Sequence, residues 1–282
     1  MRIAAKPTVQ LPFHTQGNMT SPQMTPSNQY LNGCRALVAT VESQISAIEQ
    51  AAEWFAASII AGRMVHLFGS GHSRIFVEEM WPRYGSFPGF NPLVELSLTF
   101  HNHVVGTNGQ RQAMFLENIS GFADRILRNF DISPLDSALV ASSSGCNVVP
   151  IEMATEFKRR GVKVVALVSL AHCNASTSRH PEGKKLTDFA DLVLDTGAPV
   201  GDAMVHIENL ETPVAPGSTV GGCMVINCLK AETASRLTRS GTPPLVLTSA
   251  ALVGAKRASE LFEAAYDEHA RRLSALYANL GA

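Results

Sequence analysis

Two short runs of glycine and hydroxyl residues carry the clearest chemical potential in this 282-residue chain: Gly69-Ser70-Gly71-His72-Ser73 and Ser142-Ser143-Ser144-Gly145. Each follows an apolar run, Met64-Val65-His66-Leu67-Phe68 in the first case and Ala138-Leu139-Val140-Ala141 in the second. Each also precedes a stretch with helical spacing, so both sit where a strand hands over to a helix. Glycine lets the backbone approach an anion closely, and a helix start offers free N–H groups and the positive end of the helix dipole. Ser70, Ser73, Ser142, Ser143, Ser144 and Asn147 add neutral donors. Either loop alone fits ordinary turn and capping chemistry, which serine and asparagine favour. Two of them after strands of one sheet point to a phosphate cradle made of neutral groups. A dinucleotide fingerprint needs glycine at position 74, where Arg74 stands, and no P-loop pattern occurs. No nucleotide cofactor is expected.

Acid–base candidates lie around these loops. Glu78 and Glu79 fall on the helix after the first loop; being adjacent, they point about 100° apart, so at most one faces the site. Glu117 sits in Met114-Phe115-Leu116-Glu117-Asn118. His172 and His180 flank the loop after the fourth apolar run, and His72 lies within the first glycine loop. For the glutamates a solvated helix position remains the alternative. Arg74, Arg179 and Lys184 are cations that would reinforce an anion site. His101 and His103 form an HxH pair with no third ligand at a telling spacing, so a polar loop contact competes with metal binding, and no metal is expected.

Apolar periodicity supplies the elements that must position these groups. Residues 29–61 read as helix, long enough to invite a break; 73–83, 110–129, 150–160, 218–237 and 249–280 read as further helices. Strands are expected at 64–68, 90–96 (weakened by Pro92), 137–142, 163–170 and 190–195, and 196–215 reads as irregular. Strands separated by helices imply right-handed βαβ units, a mostly parallel sheet and an α/β three-layer sandwich. In such a sheet ligands bind beyond the carboxyl ends of the strands. Residues 1–28 read as a flexible N-terminal arm and 29–282 as a single domain.

The bulk numbers narrow the partners. With 23 basic and 24 acidic residues the formal net charge is −1, which gives no footprint for nucleic acid or an anionic membrane. No run of about 18 apolar residues occurs, and the first residues lack a compact signal-peptide core. The five cysteines, Cys34, Cys146, Cys173, Cys223 and Cys228, are odd in number and form no CxxC pair. They fit free thiols in a reducing, cytoplasmic setting, with Cys223 and Cys228 in the core.

The two loops, with Asn147 and with Pro216-Gly217-Ser218-Thr219 opening an apolar helix, resemble the sugar isomerase (SIS) domain family over about residues 29–237. The stretch from Pro216 to Asn227 and the segment around Glu117 look like parts of N-acetylmuramic acid 6-phosphate etherase; residues 169–184 look most like a bacterial branch of the same family. The resemblance implies a flavodoxin- or Rossmann-like, five-stranded parallel sheet with helices on both faces. It implies sugar-phosphate binding, with Ser70, Ser73, Ser142, Ser144 and Asn147 near the phosphate and Ser218 and Thr219 close by. It also implies a homodimer or higher homo-oligomer with the site near the subunit interface. Related enzymes place a catalytic glutamate further along the first helix, where this chain has Arg83. The resemblance fixes the ligand class better than the reaction; the two loops with the Glu and His candidates point to an aldose–ketose phosphosugar isomerase using Glu79, Glu117, His172 and His180 for acid–base work. A phosphosugar lyase or etherase and a non-catalytic phosphosugar-binding regulator are the alternatives. No helix-turn-helix or terminal basic patch supports the regulator.

Overall fold

The structure is a computed structural model describing residues 24–99 and 109–278. The first helical stretch is two helices, α1 (Pro26–Ser43) and α2 (Ile45–Ile60). They break at Gln44, whose side chain reaches the sheet instead: its amide donates to the Asp195 carbonyl at 2.7 Å and accepts from the Asp195 N–H at 2.8 Å. α1 starts inside the stretch read as an arm, because Thr25 caps it by accepting from the Asn28 N–H; residues 1–23 of that stretch lie outside the described residues.

Next come β1 (Val65–Gly69), a 3₁₀ turn (Gly71–Ser73), α3 (Arg74–Met80), β2 (Phe90–Leu93), α4 (Leu96–Thr99), α5 (Gly109–Leu116) and α6 (Phe122–Leu127). β3 (Ser137–Ala141), α7 (Val148–Arg159), β4 (Lys163–Val168), α8 (Leu170–Ala175), α9 (Leu186–Phe189) and β5 (Leu192–Asp195) follow. The chain closes with a small hairpin, β6 (Ala203–Val205) and β7 (Val214–Pro216), then α10 (Ser218–Arg239), α11 (Ala250–Val253) and α12 (Ala255–Tyr277). Three sequence expectations are corrected. The helix read over 110–129 is interrupted by Gly121 at φ 80°, the helix read over 249–280 breaks at Gly254, and the segment read as irregular contains the β6–β7 hairpin. His101 and His103 lie outside the described residues.

The five main strands run parallel in the order β2-β1-β3-β4-β5. Pro92 is tolerated because β2 is an edge strand. Alternate residues feed two cores, as the period of two demands. Val65, Leu67, Leu139, Ala141, Val165 and Leu167 face α2, α3 and α10; Phe68, Ala138, Val140, Val164, Ala166 and Val168 face α6 and α7. From β1 the chain crosses to β2 on one side, and it later returns to β3 on the other. The carboxyl ends of β1 and β3 are therefore the switch point of the sheet, where a crevice must open.

At the opposite end of the sheet, Asp136 organises a buried polar network. Its carboxylate accepts from Arg63 (2.8 and 3.0 Å), the Ser133 N–H (2.7 Å) and the Met64 N–H (3.2 Å), and lies 3.3 Å from Nε2 of the fully buried His66. Burial pushes this carboxyl up, but His66, Arg63 and the Ser133 N–H outweigh it and hold it at about 2, against 3.8 for the free group. The unfolded chain thus binds this proton more readily. The contribution is complete above pH 3.8 and disappears as pH falls toward about 2. Acid titration followed by circular dichroism should show Asp136→Asn to be less stable than wild type at pH 6 by about 2 kcal/mol, the gap closing toward pH 2. A gap that stays constant across that range would refute the assignment.

Candidate functional site

A cleft of about 480 Å³ opens at the switch point, lined by both glycine–serine loops together with residues of α5, α8, α10 and the hairpin. The first loop folds tightly. The Ser73 N–H donates to the Ser70 carbonyl at 3.0 Å, and a Cβ on Gly69 would lie 2.4 Å from the Ser73 carbonyl oxygen. Only glycine lets the chain double back there, which brings Ser70, Gly71, His72 and Ser73 to the cleft wall. The second loop is tied by the Gly145 N–H to the carbonyl of Ser142, and it places Ser142, Ser143, Ser144 and Asn147 opposite. Asn147 is the N-cap of α7, yet its side chain makes no cap bond and is used elsewhere. The Ser143 hydroxyl is buried with no hydrogen-bond partner among the described residues.

Glu117, 8% exposed at the end of α5, lies against this cradle. Its carbonyl accepts from the Val149 N–H of α7 at 2.9 Å, anchoring it to the helix that starts at the second loop. The Asn147 amide donates to its Oε2, and Ser70 also hydrogen-bonds its carboxyl. Burial raises the Glu117 carboxyl above the ordinary glutamate range; the bonds from Ser70 and Asn147 and the charge of Arg179 oppose that without cancelling it. A carboxyl so placed exchanges a proton closer to neutrality than an exposed one.

His172 lines the cleft from α8. The Gly201 N–H donates to its Nδ1 at 3.1 Å, so the proton of the neutral ring sits on Nε2. Asp202, which the sequence reading passed over, lies just before the hairpin with φ 68°. It accepts from the N–H groups of Gly217 and Ser218 at 3.0 and 2.6 Å and from the Ser218 hydroxyl at 2.7 Å. Ser218 and Thr219 therefore line the cleft, but the positive end of α10 is already occupied by a carboxylate and the Ser218 hydroxyl is engaged. An anion is better received between the other two loops.

Two candidates stand elsewhere. Glu79 is not in the lining: it pairs with Arg83, beyond the end of α3, and accepts from the Asn227 amide of α10 at 2.7 Å. Its carboxylate faces the α3–α10 seam. His180 is also outside the lining. Its Nδ1 accepts from the Glu182 N–H at 3.3 Å, and its ring stands edge-on to Phe189 with centroids 6.3 Å apart. Cys223 and Cys228 are half-buried rather than core thiols and line an apolar groove between α1 and α10.

The parallel five-stranded sheet, with two glycine–serine loops lining a cleft at its switch point, defines a doubly wound α/β protein. The chain belongs to the SIS domain family, whose model matches residues 29–169. Within it, a UPF0309 protein of Halalkalibacterium halodurans is 35% identical over 221 residues, 78% of this chain and 89% of that protein. A UPF0309 protein of Listeria innocua is 31% identical over 255 residues, 90% of this chain and 99% of that one. A phosphoheptose isomerase from Neisseria gonorrhoeae overlays with a TM-score of 0.46 at 15% identity, covering 74% of this chain and 96% of that one. Among the described residues no helix is long and apolar enough to cross a membrane.

Proposed function

We propose that this cleft binds a sugar phosphate and that the protein interconverts its aldose and ketose forms. The observation that carries the reading is Glu117, a buried carboxyl raised above its ordinary range beside two loops of neutral anion donors. The phosphate sits among Ser70, Gly71, His72, Ser73, Ser142, Ser143, Ser144 and Asn147, with the sugar extending toward Glu117, His172 and Asp202. Ionised Glu117 takes the proton from C2 of the open-chain aldose, leaving an enediolate, and returns it to C1 as the carbonyl forms at C2. The Nε2–H of His172 donates to the C1 carbonyl oxygen, and as the enediolate collapses the O2 hydroxyl proton passes through this group to O1, leaving a hydroxyl on C1, a carbonyl on C2 and both side chains as they began. Hexose, heptose, pentose and amino-sugar phosphates incubated in heavy water should show, for at least one of them, C2–H exchange by NMR. Binding without exchange or product for every compound would reject isomerisation, and lactate release from N-acetylmuramic acid 6-phosphate would replace it with ether cleavage. The family resemblance further supports a homodimer, which sedimentation of the intact chain tests.

The cradle makes its own prediction. The Ser143 hydroxyl has no hydrogen-bond partner among the described residues, so Ser143→Ala should leave the melting temperature unchanged or raised. It should weaken binding of inorganic phosphate by about tenfold or more, the worth of one hydrogen bond to a charged group. Calorimetric titration with phosphate showing unaltered affinity would move the phosphate away from this loop.

A further inference from the structure

Resting on the reading of Glu117 as the base, we propose that Arg179 is a positioning residue: it fixes the polarity of the Asn147 side-chain amide, so that Glu117 meets an N–H rather than a carbonyl and is kept as a proton acceptor.

Arg179 lies in the segment between α8 and α9, outside the cleft lining, and that segment is fastened to the second loop. The Arg179 N–H donates to the Cys146 carbonyl at 2.8 Å, and the Leu186 N–H donates to the Gly145 carbonyl at 2.8 Å. The guanidinium Nη1 donates to the Asn147 Oδ1 at 3.0 Å. A guanidinium only donates, so the atom of Asn147 turned toward it must be the oxygen. Nδ2 is then forced to the other side, where it donates to Glu117 Oε2. An amide oxygen in that place would instead accept from a protonated carboxyl and favour it. Free of Arg179, Asn147 could turn over and stabilise either protonation state of Glu117. With Arg179 in place the N–H favours the ionised state, whose oxygen is the stronger acceptor, and this counters the desolvation that drives Glu117 toward neutrality. Among the described residues, the other titratable or charged groups lining the cleft with Glu117 are His72, His172 and Asp202.

The test follows Glu117 directly. Carboxyl-carbon NMR of the intact protein, with the resonance assigned through Glu117→Gln, gives its titration midpoint. Arg179→Ala should move that midpoint to higher pH. Arg179→Lys, still donor-only and still charged, should move it less. In an Asn147→Ala background, Arg179→Ala should produce a clearly smaller shift, because the amide that transmits the effect is gone. An unmoved midpoint in Arg179→Ala, or an equal shift with and without Asn147, overturns the proposal; the second outcome would mean that the charge acts through space alone. Dispersed amide spectra for each variant show that the fold is intact. The readout needs no turnover, so loss of the isomerase reading through absent C2–H exchange would leave this result standing by itself.

Discussion

Glu117→Gln is expected to abolish C2–H exchange to within detection, a fall of about 10²–10⁴-fold, while phosphate still binds. Glutamine has the same shape and can still accept from the Asn147 amide and meet Ser70, the two side chains that hold the carboxyl now. It cannot take a proton. Replacing a carboxylate that pays desolvation by a neutral amide with the same contacts leaves stability equal or higher, so loss of activity could not be ascribed to unfolding. Removing negative charge beside the cradle leaves phosphate affinity equal or better. The wild-type rate should also rise with pH through the raised Glu117 midpoint, which puts its acid limb above 4.5. The sign follows from the role: a base works ionised, and burial delays ionisation. NMR exchange rates for wild type and variant between pH 4 and 8 decide the matter. A Glu117→Gln protein exchanging at the wild-type rate would remove Glu117 as the base and transfer the proton abstraction to another group such as His172.

How much of this site was legible in the sequence depended on the range of the forces that build it. The two loops were legible because strand, glycine turn and helix are encoded within about ten contiguous residues, and the order of the apolar runs places both loops at strand ends. Pairing them across the switch point followed from parallel topology. Glu117 was harder. Its helix position alone did not separate a buried carboxyl from a solvated one; what buries it is α7, met through the Val149 N–H, 32 positions further on. Asp202 gave no local signal at all, because its partners, Gly217 and Ser218, are 15 and 16 positions away. Glu79 and His180, expected at the site, lie outside the cleft lining of the described residues for a related reason. Their neighbourhood in sequence is right, but Asn227 of α10 and Phe189 of α9 decide where they face. Helix breaks at Gln44 and Gly254 were likewise set by the sheet edge and a glycine conformation rather than by apolar period, which runs on through both.

Gly221 is where a single methyl should cost most. It lies one turn into α10, and a Cβ there would stand 1.9 Å from the Thr196 carbonyl oxygen and 2.9 Å from its carbon. Thr196 is fully buried at the end of β5, its N–H bonded to the Val168 carbonyl at 2.8 Å, so this backbone cannot move aside cheaply. In an unconstrained helix, alanine would be better than glycine by about 1 kcal/mol. Here the helix would have to shift away from the sheet, and we expect Gly221→Ala to destabilise by about 3 kcal/mol, lowering the melting temperature by roughly 5–10 °C. The neighbour is an internal control. A Cβ on Gly222 would meet the Phe76 ring at 2.3 Å, but those are the outer atoms of a side chain that can turn, so Gly222→Ala should cost less. Sliding α10 at Gly221 carries Ser218 away from Asp202, loosens the turn before the hairpin that supplies Gly201 to His172, and so disturbs the cleft wall beside the glycine–serine loops. Calorimetric melting of both variants checks the ranking; a stabilised Gly221→Ala protein would mean that α10 does not approach the sheet at this glycine.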